Sequence, residues 1–267
     1  MIATAPDGTR LHYIVEGSGP PIVLVGGKTS NIAGAWWRYI PALASELKVI
    51  ALDNRGAGES DKPDSAYSTQ LMALDALTVL QAAGEQSAHW FGISLGGMIL
   101  QQLALQQPEA VRSLILGATR CTPERRTMPP PDVPELEGSP LKRYLMLYDA
   151  RFIVEHGDWV AEDARHFGKM PLHAIVRQDQ AGKQHDVCDR LPQIHQPVLI
   201  LHGRQDRMVP LSSGEELARR LPDARLEILD PAGHQFHSEQ FQTVLRLVLD
   251  FVRNVETTPP SRSPAHA

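Results

Sequence analysis

A serine framed by glycines, at the junction of a short apolar strand and an apolar helix, restricts this chain more than any other segment. The junction reads Gly92-Ile93-Ser94-Leu95-Gly96, preceded by Ala88-His89-Trp90-Phe91 and followed by Met98-Ile99-Leu100 and Leu103-Ala104-Leu105. A strand that turns directly into a helix has no space for side chains beside the turn, which is the physical reason for a glycine two residues to either side. The residue at the apex is pushed into a strained backbone conformation with its hydroxyl outward. The helix that begins there aims its unpaired N–H groups and positive dipole end at any anion forming beside Ser94. Ser94 therefore reads as a nucleophile.

A nucleophilic serine needs a base, and the base needs an acid to orient it. Downstream, Pro197-Val198-Leu199-Ile200-Leu201 reads as a strand running into His202-Gly203-Arg204-Gln205-Asp206, which puts Asp206 in a loop past a strand end. A further strand, Arg225-Leu226-Glu227-Ile228-Leu229, runs into Asp230-Pro231-Ala232-Gly233-His234, which does the same for His234. In an open parallel sheet the carboxyl ends of the strands share one edge, so three strands distant in sequence can deliver three groups to one place. Asp230 is the rival acid. It follows its strand directly, and it reads as a residue that turns the chain and caps backbone groups. His237 lies about one helical turn beyond His234, but no third ligand stands at metal-binding spacing, so no metal is expected.

Strands alternate with helices along most of the chain. Thr9 to Val15 reads as an antiparallel starter, followed by core strands at Pro21–Val25, Lys48–Leu52, His89–Phe91, Ser113–Leu116, Val198–Leu201 and Leu226–Leu229. Helices are expected near Trp36–Ser45, Thr69–Ala83, Leu95–Gln106, Ser212–Arg220 and Gln240–Arg253, the last with Phe241, Val244, Leu245, Val248 and Val252 on one packing face. Apolar strands between helices indicate a mostly parallel twisted sheet buried on both faces. The rhythm breaks between Ala118 and Pro197, where a stretch with Pro129, Pro130, Pro131 and Pro134 leads into helix-like pieces at Pro140–Tyr148, Asp149–His156, Trp159–Phe167 and Pro171–Gln180.

With Ser94, Asp206 and His234 in this order, the chain resembles the α/β-hydrolase superfamily from about Ile2 to Val252. Leu52-Asp53-Asn54-Arg55-Gly56-Ala57-Gly58-Glu59-Ser60 looks like the turn these proteins carry after their fourth strand. Phe91 to Gly97, and Asp186-Val187-Cys188-Asp189-Arg190-Leu191 through Glu239-Gln240, look most like small carboxylesterases and 3-oxoadipate enol-lactonases. The resemblance implies a core at 1–119 and 197–255 and a helical cap at 120–196, inserted between strands 6 and 7, that excludes water and shapes the acyl pocket. It also implies an oxyanion hole made by the backbone N–H of Leu95 and one from the loop Gly26-Gly27-Lys28-Thr29-Ser30. By position the second donor is the N–H of Lys28. Relatives commonly carry His-Gly where this chain has Gly26-Gly27, a departure that keeps the pliant backbone and loses the imidazole. Gly27, Phe152, Trp159 and Phe167, with Met146, are candidates for the pocket wall.

Other features have plainer readings. Gly27-Lys28-Thr29 after a strand evokes a phosphate loop, but Ile22 stands where that motif requires glycine. Asp53 and Arg55 read as hydrogen-bonding supports of the Gly56/Gly58 turn. A net charge of −5 argues against nucleic acid or an anionic membrane as partner. The chain shows neither a signal-peptide pattern nor an apolar run near the length of a membrane span, so a cytoplasmic enzyme is expected, with Cys121 and Cys188 as two thiols. The tail from Glu256 to Ala267 reads as disordered. The expected function is a serine hydrolase of a small-molecule ester or lactone, with no metal or organic cofactor. Alternatives are a carbon–carbon bond hydrolase of a vinylogous diketone and a ligand receptor of the same fold with weak hydrolysis. Assembly into a homo-oligomer stays open.

Overall fold

Eight strands form one sheet in the order β1-β2-β4-β3-β5-β6-β7-β8. They are β1 (Ile2–Thr4), β2 (Arg10–Glu16), β3 (Pro21–Val25), β4 (Lys48–Leu52), β5 (Ala88–Ile93), β6 (Val111–Gly117), β7 (Val198–Gly203) and β8 (Ala224–Leu229). β1 pairs antiparallel with β2, and β2 with β4, while all later neighbours are parallel. The structure is a computed structural model and describes residues 1–123 and 127–257. Among these residues no helix is long and apolar enough to cross a membrane.

The two faces of the sheet explain why its strands are apolar without interruption. On β3, Val23 and Val25 face a core shared with α3 (Thr69–Ala82) and α4 (Leu95–Gln106), while Ile22 and Leu24 face one shared with α1 (Ile32–Trp36) and α2 (Tyr39–Leu43). β4 repeats the alternation with Ile50 and Leu52 on one side and Val49 and Ala51 on the other. Each such Val, Leu or Ile side chain, fully withdrawn from water, contributes roughly 1.5–3 kcal/mol before entropy is subtracted. The helix expected near Trp36–Ser45 is confined to α2, and the unexpected α1 precedes it. Pro41 has no N–H for the carbonyl of Trp37, so one helix cannot run through.

Between β6 and β7 the chain leaves the sheet for α5 (Ala150–Glu155), α6 (Gly157–His166) and α7 (Leu172–Lys183), with short 3-10 turns at Pro134–Leu136, Pro140–Tyr144 and Cys188–Gln193. This insertion has a small core of its own in Val133, Leu136, Leu145, Tyr148, Ile153 and Val160. The chain ends with α8 (Leu211–Arg220), α9 (Phe236–Glu239) and α10 (Phe241–Thr257).

Two expectations are corrected. Cys121 and Cys188 form a disulfide, with Cα atoms 4.9 Å apart, in place of two thiols. β6 and β7 are neighbours in the sheet, so the insertion must leave and return at adjacent places, and the Val187 N–H already donates to the Cys121 carbonyl at 2.9 Å. A compartment argument carries no information about that juxtaposition. The disordered tail cannot begin at Glu256: Glu256 and Thr257 belong to α10, and the Glu256 carboxylate lies 3.0 Å from His89 Nε2 and accepts from Arg112 at 3.2 Å. The remainder of that tail lies outside the described residues.

Candidate active site

The order of β4, β3 and β5 reverses the direction of chain progression, and ligands bind where such a sheet splits its crossovers, outside the carboxyl ends of the strands. Ser94 sits at that point with φ 56° and ψ −116°, a strained conformation for a residue with a side chain. It is held from three sides. Its N–H donates to the Gly117 carbonyl at 2.8 Å, and its carbonyl accepts from the Thr119 hydroxyl at 2.7 Å and the Met98 N–H at 3.3 Å. The flanking glycines are required by space. A Cβ on Gly96 would stand 2.1 Å from the Val25 carbonyl oxygen, and one on Gly92 would stand 2.7 Å from the Gly96 backbone.

Asp206 and His234 meet from the ends of β7 and β8. His234 Nδ1 lies 2.8 Å from Asp206 Oδ2, so in the neutral ring with Nδ1 protonated it donates to the carboxylate. The other oxygen of Asp206 accepts from the N–H groups of Met208 and Val209 at 2.8 and 2.9 Å, which fixes the plane of the carboxylate. His202, also buried, donates from Nε2 to the Val209 carbonyl at 2.9 Å and steadies the same loop. Burial drives its pKa down and keeps it neutral beside the acid. The rival Asp230 points away, to Arg204 at 2.6 Å and Gln205 at 3.0 Å on the surface.

Ser94, Leu95 and His234 line one cavity of about 230 Å³ together with Gly27, Lys28, Met98, Arg120 and Met208. The insertion contributes its roof: Leu147, Phe167, Gln178 and Gly182. Leu95 opens α4, so its N–H is among those a helix leaves unpaired, and among the described residues neither it nor the N–H of Lys28 has a protein acceptor. The Lys28 side chain turns from the cavity floor to Asp179 on α7 at 2.8 Å.

Of the expected wall residues, Gly27 and Phe167 line the cavity, and Phe152, Trp159 and Met146 do not. Phe152 stacks on Tyr148 within the small core of the insertion (centroids 6.2 Å apart). The Trp159 indole N–H donates to Ser238 at 2.8 Å while the Arg38 guanidinium lies 3.6 Å above its ring, so it docks α6 onto the sheet domain. The assignment of these residues to the pocket is thereby corrected. An aromatic residue on an amphipathic cap helix can pack into the cap's own core, onto the sheet domain or into the cavity, and periodicity is the same for all three.

The sequence reading missed Gln178, Arg120, Leu147, Gln235 and His237 as cavity residues. For Gln178 a signal exists: on α7 it lies on a buried face otherwise made of Ala174, Ala181 and Gly182, an amide on a stripe of small residues. His237 is buried, and desolvation lowers its pKa to about 4, so it is a neutral wall residue. Glu239 joins two parts of the site. Its carboxyl oxygens accept from the N–H of Gly233, next to His234, at 2.8 Å and from the N–H of Asp149, in the insertion, at 3.0 Å. Burial pushes its pKa up to about 8 in spite of those two donors. The turn at Asp53–Ser60 is built as its residues suggest. Asp53 accepts from the N–H groups of Ile32 and Glu59 at 2.7 and 2.9 Å, and Arg55, fully buried, makes a two-pronged pair with Asp75.

Residues 20–161 and 169–241 match the family model described as the alpha/beta hydrolase fold. A curated relative from Azorhizobium caulinodans, named "Putative carbamate hydrolase RutD", is 31% identical over 259 residues, covering 92% of this chain and 96% of its own. Among solved structures, a thermophilic esterase from Thermogutta terrifontis superposes with a TM-score of 0.83 at 23% identity, covering 96% of this chain and 99% of its own. The enol-lactonase from Burkholderia xenovorans LB400 does so with 0.81 at 23% identity, covering 95% and 100%. At that identity the two structures speak for the fold alone.

Proposed function

This chain belongs to the α/β-hydrolase fold family, and from that premise we propose that it is a serine hydrolase of a small ester or lactone, acting through Ser94, His234 and Asp206. The observation that carries the reading is the 2.8 Å contact of His234 Nδ1 with Asp206, made at the wall of the cavity that Ser94 also lines. Asp206 holds the tautomer in which Nε2 carries the lone pair, so Nε2 takes the Ser94 proton as the oxygen attacks the carbonyl. The N–H groups of Leu95 and Lys28 hold the oxyanion. The imidazolium, stabilised by Asp206, protonates the leaving alcohol or enol. Water, deprotonated by the same histidine, then releases the acid from Ser94. A cavity of about 230 Å³ suits a small substrate.

A second reading, hydrolysis of a carbamate, is favoured by the 31% identical relative whose name carries that activity. The machinery is unchanged, since the attacked carbon is again a carbonyl. The test is labelling and turnover. A fluorophosphonate probe is expected to modify Ser94, and Ser94→Ala is expected to fold and lose turnover by about 10⁴- to 10⁶-fold. A mutant that keeps more than roughly a tenth of the rate would remove Ser94 from the reaction. Turnover of p-nitrophenyl acetate and butyrate, a simple lactone and an N-alkyl carbamate ester ranks the two readings. Slow single-turnover labelling of every ester would instead favour a receptor.

A further inference from the structure

We propose that Gln178, on the cap helix α7, is a positioning residue that sets the oxyanion-hole loop, so that the catalytic power of the sheet domain depends on the cap. The inference rests on the serine-hydrolase reading above. Gln178 is completely buried and lines the cavity roof. Its Oε1 accepts from the backbone N–H of Thr29 at 2.9 Å, and its Nε2 donates to the carbonyl of Arg55 at 2.9 Å. The two contacts require opposite polarity, which fixes the orientation of the amide.

Thr29 is where the loop is under stress. Its φ is 65°, left-handed for a β-branched residue, a conformation that persists only where the surroundings over-determine it. The turn it makes returns the Ser30 N–H to the Gly27 carbonyl at 3.2 Å. In a planar trans peptide the N–H points opposite the carbonyl, so tying the Gly27 oxygen to Ser30 aims the Lys28 N–H the other way. The Thr29 hydroxyl closes on the Lys28 carbonyl at 2.6 Å. Gln178 thus grips a residue whose left-handed conformation shapes the turn that aims the proposed donor. By occupying the Thr29 N–H it also removes a competing donor of the same loop. The grip is anchored, since Arg55 is itself held by Asp75 of α3 through bonds of 2.5 and 2.7 Å. Asp179, the next residue on α7, takes the Lys28 side chain.

The decisive experiment compares wild type with Gln178→Met and Gln178→Glu. Methionine keeps the bulk and removes both hydrogen bonds. Glutamate keeps the acceptor for Thr29 and loses the donor to Arg55. The readouts are kcat and KM for p-nitrophenyl acetate, inhibition by a small alkylboronic acid, whose tetrahedral adduct on Ser94 places an oxygen in the hole, and the melting temperature. For Gln178→Met, kcat is expected to fall roughly 10- to 100-fold, with KM changed less than about threefold and boronate affinity falling in parallel. Gln178→Glu is expected to fall between it and wild type, by at least about threefold, and it decides alone should the methionine variant not fold. A folded variant that stays within about threefold of wild type in both kcat and boronate affinity overturns the proposal. Fluorophosphonate labelling separates the two levels. If wild type is labelled at Ser94 while the Gln178 variants behave as wild type, the positioning role fails and the hydrolase reading stands. If wild type is not labelled and Ser94→Ala keeps its rate, both fall.

Discussion

The floor and the roof of the cavity are built on different principles. The floor (Ser94, Asp206 and His234 with their loops) is held mainly by N–H and carbonyl groups of the strand ends and loops that carry it. Ser94 is fixed by the backbone of Gly117 and Met98 and by the Thr119 hydroxyl, and the Asp206 carboxylate by the N–H groups of its own loop. The roof is held by long side chains reaching between separate elements: Gln178 to Thr29, Lys28 to Asp179, and Tyr148 and Trp37 to Asp163. Backbone contacts survive most substitutions and give a site the fixed geometry that bond making needs. Side-chain contacts can be exchanged singly, and a roof made of them can change the substrate without rebuilding the chemistry below.

The sharpest way to break this comparison is at the floor. Asp206→Asn keeps the shape of the acid but favours the wrong histidine tautomer, and turnover is expected to fall by about 10³- to 10⁴-fold with little change in melting temperature. Asp230→Asn, at the surface pair with Arg204, is expected to change turnover less than about tenfold. Reversed outcomes in steady-state kinetics would mean that the acid has been misassigned.

Smaller effects are expected at the roof. Leu147→Ala and Phe167→Ala enlarge the cavity and are expected to shift the preference between p-nitrophenyl acetate and longer acyl esters by roughly 10-fold, the scale on which one or two methylenes are discriminated. Phe152→Ala and Trp159→Ala, outside the cavity, are expected to lower the melting temperature and leave that ratio alone. A ratio moved equally by all four would erase the distinction between residues that line the cavity and those packed elsewhere.

The smallest effect belongs to the seam between floor and roof. The folded-state pKa of Glu239 is raised to about 8 from an ordinary 4.5, so the folded chain holds a proton that the unfolded chain releases. Its contribution to stability is fully present below pH 4.5 and is lost as pH rises toward about 8, where it levels off. Melting temperatures followed across this window are expected to decline with a component that Glu239→Gln removes. The variant itself forfeits one of the two N–H contacts. An unchanged pH slope in Glu239→Gln would assign the decline to other groups.

How much of this was legible in the sequence differs in the same way. Glycines 92, 96 and 97 around Ser94 carry the elbow because each sits where a Cβ would strike backbone or the neighbouring Thr119. The preference for Asp206 over Asp230 rests on its loop position and on the Ser-Asp-His order of the resembled family, and in the structure Asp206 meets His234 while Asp230 pairs with Arg204 at the surface. The strand-and-helix alternation exposed the sheet, although β1 went unread because three residues are too few for a period-2 pattern. In the insertion the helix-like pieces were visible, while the partition of their aromatics among cap core, sheet-domain contact and cavity was not.

By itself the sequence determined the fold class, the sheet-edge positions of Ser94, Asp206 and His234, and the existence of a helical insertion. The serine turn follows from local steric rules and the alternation of elements from hydrophobic periods of two and 3.6 residues, while the resemblance to the α/β hydrolases supplies the order of the three residues and the reading of the insertion as a cap. Tertiary structure decided which cap residues face the cavity, that Cys121 meets Cys188, and that an amide on α7 takes the N–H of Thr29, 149 residues away along the chain. Those outcomes depend on the direction in which one packed body meets another. No local pattern records that direction, because a helix face suited to one neighbour is equally suited to the next.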